Sequence, residues 1–212
     1  MKKMFLASSF VDVAGLLADF EPDLSGKRIT FIPTASKVEE YVVYVEEGRA
    51  ALEQMGLIID ELDVSTAATA DIAAKIDIND YIYVSGGNTF YLLQELKRTG
   101  ADAIIADAVN AGKLYIGESA GSIIASADIE YVQGMDSIEP APDLKDFAGL
   151  SLVDFYTVPH YTSFPFIESA QQIVDTYSVT LSLRPITNNE VICVRGNEIS
   201  VKSLGRGSGG QA

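Results

Sequence analysis

Lys113-Leu114-Tyr115-Ile116-Gly117-Glu118-Ser119-Ala120-Gly121-Ser122-Ile123-Ile124-Ala125 is the stretch on which the reading of the chain turns. Leu114 to Ile116 read as the end of a buried strand, and Ser122 to Ala127 as the start of a helix. Between them Gly117-Glu118-Ser119-Ala120-Gly121 fits Gly-x-Ser-x-Gly, which on a strand-to-helix turn is a nucleophile elbow. The chemistry accounts for the spacing. A serine that attacks a carbonyl must stand clear of the sheet on a sharp turn, and glycines two residues before and after it keep side chains out of that turn. The turn also aims the helix N-terminus and the Ala120 N–H at a developing oxyanion. Small residues gather in such turns for packing alone, so it is the flanking strand and helix that favour a catalytic serine.

Upstream of the elbow, the apolar run Tyr81 to Val84 leads into Ser85-Gly86-Gly87-Asn88-Thr89. A helix over Phe90 to Arg98, stopped by Gly100, and another over Asp102 to Ala111 follow. Earlier segments repeat the alternation. Strands are expected over residues 3–8, Lys27 to Ile32 and Leu57 to Val64, and helices over Val11 to Phe20, Val38 to Met55 and Thr69 to Ile76. Apolar strands alternating with helices through short loops predict an α/β fold, a parallel sheet flanked by helices on both faces. Downstream, Tyr131 to Leu150 reads as loop, Leu152 to Val158 as strand and Glu168 to Leu183 as helix. Glu190 to Val194 and Glu198 to Lys202 flank Arg195-Gly196-Asn197 as a C-terminal β-hairpin. No linker divides residues 1–204, so one α/β domain is expected, followed by a disordered Gly/Ser-rich tail over 205–212.

The 212 residues, 48% of them hydrophobic, suffice for a sizeable core. A net charge of −15 argues against nucleic acid as a partner, because phosphate binding needs a basic surface. The single cysteine, Cys193, lies in the apolar run Val191 to Val194, which excludes an internal disulfide and a Cys-based zinc site and suggests a buried small hydrophobe. The apolar run within Met1 to Phe10 is too short for a signal peptide, and no segment approaches the length of a membrane span. A cytoplasmic protein without membrane partners is expected.

Three further constellations carry chemistry. Gly86-Gly87-Asn88-Thr89 sits at the C-terminal edge of a strand, where open α/β sheets bind ligands. It lacks the Lys-Ser/Thr of a P-loop and the spacing of a dinucleotide fingerprint, so an oxyanion donor is its better functional reading. Asn88 or Thr89 there caps the next helix, and Asn88 is also a candidate substrate contact. His160 is the chain's single histidine and the single candidate base for a Ser-His hydrolase. The acid that would orient it is open: Glu190, Asp136, Glu139, Asp143, Asp146 and Asp154 all qualify, and among 30 acidic residues each is by default a solvated charge.

Gly86-Gly87-Asn88-Thr89-Phe90 with Leu92-Leu93, then Tyr115 to Gly121, then Pro159-His160-Tyr161-Thr162 together resemble the peptidase E (aspartyl dipeptidase) family of serine peptidases. The resemblance covers about residues 1–204. It implies a flavodoxin-like fold related to class I glutamine amidotransferases, with serine in place of their elbow cysteine. It implies Ser119 as nucleophile, His160 as general base, Gly87 and Ala120 as oxyanion donors, and Glu190 as the third triad member, with Asp136 as its rival. The order Ser…His…Glu differs from the Ser…Asp/Glu…His of α/β-hydrolases. Members that cleave after N-terminal aspartate carry an Arg-containing segment soon after the His motif. Here Ser163 to Gln172 holds no Arg or Lys, and none follows until Arg184. A bidentate Arg is the natural reader of a carboxylate, so aspartyl specificity is in question and the phenylalanines of this segment point to a more apolar pocket. The expectation is a serine peptidase of short peptides that needs no metal or organic cofactor, as a monomer or homodimer. The alternatives are a ligand-binding or regulatory protein on the same scaffold, and an esterase.

Overall fold

Apolar runs of four or five residues form the parallel centre of a seven-stranded sheet in the computed structural model, which describes residues 1–204. In chain order the elements are β1 (Lys3–Ala7), α1 (Phe10–Val13), α2 (Leu17–Phe20), β2 (Arg28–Ile32), α3 (Val43–Gln54), β3 (Ile58–Glu61), α4 (Thr69–Ile78) and β4 (Tyr81–Val84). Then come α5 (Thr89–Thr99), α6 (Ala101–Asn110), β5 (Leu114–Glu118), α7 (Ala120–Ile123), β6 (Tyr156–Val158), α8 (Ile167–Tyr177), β7 (Leu183–Pro185), β8 (Glu190–Arg195) and β9 (Glu198–Ser203). The sheet order is β3-β2-β4-β5-β1-β8-β9. The first five are parallel, β8 runs antiparallel to β1, and β8 and β9 form the expected hairpin. Counted from β2, the order β3-β2-β4-β5 is the 2-1-3-4 of a flavodoxin-like sheet, and β1 fills the fifth place.

The strands are apolar on both faces, as a sheet covered by helices requires. Phe5, Ile29, Phe31, Tyr83 and Ile116 face a core closed by Phe10, Val13, Leu17, Val45 and Leu52 of α1, α2 and α3. Met4, Leu6, Ile82, Val84 and Tyr115 face the opposite core, closed by residues of α4, α5, α6, α7 and α8. The chain therefore leaves neighbouring β1 and β5 toward opposite faces, and a crevice opens beyond their C-terminal ends. In open α/β sheets such a switch point is where ligands bind.

Several boundaries differ from expectation for reasons visible in the backbone. Residues Thr34–Val38 form a 3₁₀ turn, whose Ala35 carbonyl accepts the Asn88 N–H at 2.9 Å, and α3 begins only at Val43. The elbow helix α7 has four residues. The carbonyls of Ile124, Ala125, Ser126 and Ala127 accept N–H groups from Gly149 to Val153, which ends the helix and leaves only Tyr156 to Val158 of the expected long strand. The last expected helix stops at Tyr177, and Leu183 to Pro185 form β7, which pairs in parallel with β6 as a separate two-stranded sheet. The tail 205–212 lies outside the described residues. Among the described residues no helix is long and apolar enough to cross a membrane.

Candidate active site

Ser119 leaves β5 with φ 47° and ψ −107°, a conformation that costs energy for a non-glycine residue. The surrounding structure holds it there. Its N–H donates to the Ala7 carbonyl at the end of β1, at 2.9 Å. Both flanking glycines are required by contact: a Cβ on Gly117 would lie 2.6 Å from the Gly121 carbonyl oxygen, and one on Gly121 would lie 2.2 Å from the Val84 carbonyl oxygen.

His160 follows β6 and has a left-handed φ of 58°. Its backbone N–H donates to the Ser8 hydroxyl at 3.0 Å, and that hydroxyl donates to the Ile186 carbonyl, also at 3.0 Å. Its Nε2 lies 3.0 Å from Ser119 Oγ. Its Nδ1 lies 2.8 Å from Asn188 Oδ1. An amide oxygen can only accept, so Asn188 places the ring proton on Nδ1 and leaves the Nε2 lone pair for the serine O–H. The Phe166 ring stacks on the imidazole at 4.8 Å between centroids. Burial lowers the His160 pKa below its usual 6.5, opposed by the Asn188 hydrogen bond and the negative charge of Asp12. The imidazole is thus neutral at pH 7.

The structure brings Ser119 and His160 together and places neither expected acid on the imidazole. Glu190 faces back along its own turn: its carboxylate accepts the Thr187 N–H at 2.8 Å, and its N–H donates to the Thr187 carbonyl at 3.1 Å. That closed turn presents Asn188, the residue the sequence reading passed over. Asp136 instead caps α5, accepting the Thr89 N–H at 2.9 Å and the Thr89 hydroxyl. Burial holds its carboxyl above the ordinary range. Asn88 is buried and spoken for, its Oδ1 accepting the Tyr91 N–H at 2.9 Å and its Nδ2 donating to the Ser137 carbonyl at 2.8 Å, so it caps a helix instead of facing a substrate. Among the described residues the His160 ring hydrogen-bonds to Asn188 and Ser119, and to none of Glu139, Asp143, Asp146 and Asp154. Gly87 lines the cleft at φ 128°, where a Cβ would meet the Ala35 carbonyl at 2.3 Å. Among the described residues neither its N–H nor that of Ala120 finds an acceptor.

Glu118, beneath Ser119, is a second residue that the sequence reading missed. It is buried, accepts the Phe10 N–H at 2.8 Å and the Tyr83 hydroxyl at 2.6 Å, and is pushed above the ordinary carboxyl pKa by burial. It ties the start of α1 to β4 and β5 just below Ser119. Above Ser119 opens a cleft of about 750 Å³.

A model described as Peptidase family S51 matches residues 4–202. An uncharacterized peptidase of Pasteurella multocida is 58% identical over 201 residues, covering 95% of this chain and 97% of its own. A solved Listeria monocytogenes EGD-e structure, assigned to peptidase E, superposes with a TM-score of 0.93 at 53% identity, covering 96% of this chain and 99% of its own. Peptidase E of Shewanella amazonensis is 40% identical over 134 residues, which span 63% of this chain and 54% of that protein.

Proposed function

The chain belongs to peptidase family S51, and from that premise we propose that it hydrolyses short peptides as a serine peptidase through Ser119, His160 and Asn188. The observation that carries the reading is the continuous line from Asn188 Oδ1 through the imidazole to Ser119 Oγ, at 2.8 and 3.0 Å. His160 takes the proton from Ser119 as the hydroxyl oxygen attacks the peptide carbonyl. The imidazolium is held by its Nδ1–H bond to Asn188, as in the Cys-His-Asn variant of the triad. The Gly87 and Ala120 N–H groups stabilise the oxyanion. His160 then protonates the departing amine, and the acyl group on Ser119 is released by water activated through the same imidazole.

Labelling with a fluorophosphonate tests the nucleophile. Wild type reacts and Ser119→Ala and His160→Ala do not; a folded wild type that stays unlabelled sinks the mechanism. Labelling without cleavage of any member of a dipeptide panel points to a ligand-binding member of the family.

A further inference from the structure

The cleft over Ser119 carries one sign of charge. Asp12, Glu39, Glu47, Glu118 and Asp136 line it, and among the described residues no Lys or Arg does. Glu118 and Asp136 are committed to internal hydrogen bonds. Asp12, Glu39 and Glu47 are exposed and belong to none of the ion pairs among the described residues. Asp12 lies close enough to His160 for its charge to act on the imidazole. Glu39 is partly desolvated, which together with the nearby negative charge of Asp136 raises its pKa. Beside Glu39 and Glu47 the rings of Tyr41 and Tyr44 lie 6.1 Å apart. Among the described residues the Tyr44 hydroxyl is buried without a hydrogen-bond partner, and its ring rests against Gly86, in the glycine loop of the oxyanion.

Carboxylates interleaved with tyrosine faces are the chemistry that receives an organic cation, through ion pairing and cation–π contact. The same wall repels an anion, and among the described residues it holds no guanidinium to compensate. We propose that this cleft selects peptides by an ammonium or guanidinium group beside the scissile bond, and that Glu39 and Glu47 with Tyr41 and Tyr44 are its readers. The cation is either the free amino terminus or a Lys or Arg side chain. Peptides opening with aspartate are disfavoured. The placement beside the scissile bond rests on the peptidase reading; the affinity for cations does not.

Binding and turnover, measured apart, distinguish the two. Full-length Ser119→Ala is titrated calorimetrically with Lys-Leu, Leu-Leu and Asp-Leu, and with the Nα-acetyl forms of the first two. Lys-Leu is expected to bind at least as tightly as Leu-Leu and about 100-fold more tightly than Asp-Leu, weakening as salt is raised. Adding Glu39→Gln and Glu47→Gln lowers affinity for Lys-Leu by about fivefold per carboxylate. If acetyl-Lys-Leu keeps an advantage over acetyl-Leu-Leu, the side chain is the cation read. If acetylation abolishes binding of both alike, the amino terminus is. Asp-Leu binding as well as Lys-Leu, or unchanged affinity in the double carboxylate variant, overturns the inference. The wild type is then assayed for turnover of the same peptides: cationic peptides bound but never cleaved refute the peptidase reading alone, and cleavage favouring Asp-Leu refutes the selectivity alone.

Discussion

Asn188→Ala is the perturbation that weighs the orienting residue. In the resting enzyme its amide oxygen accepts from a neutral imidazole at 2.8 Å. In the proposed mechanism His160 takes the serine proton, and the same bond is then made by an imidazolium and becomes a hydrogen bond to a charged group. Such bonds contribute about 1.5–3 kcal/mol. A neutral bond contributes about 0.5–1.5 kcal/mol, so about 1–1.5 kcal/mol is gained only as charge develops, and at 1.36 kcal/mol per factor of ten its loss lowers kcat by roughly 5- to 13-fold, with KM little changed. A triad carboxylate is worth far more, about 3 × 10⁴ in kcat in a serine protease. Glu190 touches the base only through the turn it closes, so Glu190→Ala loosens the seat of Asn188 and costs a few-fold in rate and about 1 kcal/mol of stability. The assay is kcat and KM, determined separately on a dipeptide, with the rate of fluorophosphonate labelling as a readout independent of peptide binding. A fall of a thousandfold or more in folded Glu190→Ala, beside an Asn188→Ala variant within threefold of wild type, would refute the reasoning and restore the carboxylate as third member.

The remaining predictions concern pH and packing. Because burial lowers the His160 pKa, kcat/KM should fall on acidification with a midpoint under 6.5; Asp12→Asn removes a charge that raises that pKa and moves the midpoint lower still, and a shift upward would contradict the proposed role of Asp12. The buried Glu118 has its folded pKa raised above 4.5, so its contribution to stability is fully present below that pH and is lost as pH rises through the folded value; Glu118→Gln should flatten this part of the urea-stability profile. Gly121→Ala puts a Cβ 2.2 Å from the Val84 carbonyl oxygen and should cost about 3 kcal/mol or more in urea unfolding, or prevent folding outright. Asp136→Ala strips the acceptor from the Thr89 N–H at the start of α5 and should cost about 1–3 kcal/mol, and a kcat loss on the scale of a triad acid would return Asp136 to the base's partner list.

The parallel strands and the Ser119 turn were legible because their signals are local. Tyr81 to Val84 is apolar throughout and occupies β4 without a residue gained or lost, and the glycines of the elbow are dictated by contacts within a few residues of the turn or with the next strand. The residues that complete the site obey no local period. Asn188 reaches His160 because β7 pairs with β6 and carries the chain to the turn beside it, yet Leu183-Arg184-Pro185 is too short to announce a strand. Tyr177 and Leu181, four apart, prolonged the helical pattern past its end, where Leu183 has already begun to pair. Glu190 looked like an orienting acid by its place in the chain, but whether a carboxylate turns toward a ring or toward its own turn is decided by backbone torsions that composition does not encode. The one-signed wall of the cleft was also hidden, since Asp12, Glu39 and Asp136 are scattered among 30 acids and meet only through the fold.

The place of β1 has a consequence for how the protein is born. Among the described strands β1 is the earliest in the chain, yet in the finished sheet it lies between β5 and β8, which follow it by more than a hundred residues. Its Ala7 carbonyl holds the Ser119 N–H and the adjacent Ser8 holds the His160 N–H, and the Asn188 amide that meets the imidazole comes from the loop just before β8. A chain still being made therefore carries Ser119 and His160 before the turn that seats Asn188 exists, and the line from Asn188 through His160 to Ser119 closes only once that turn is in place ahead of β8.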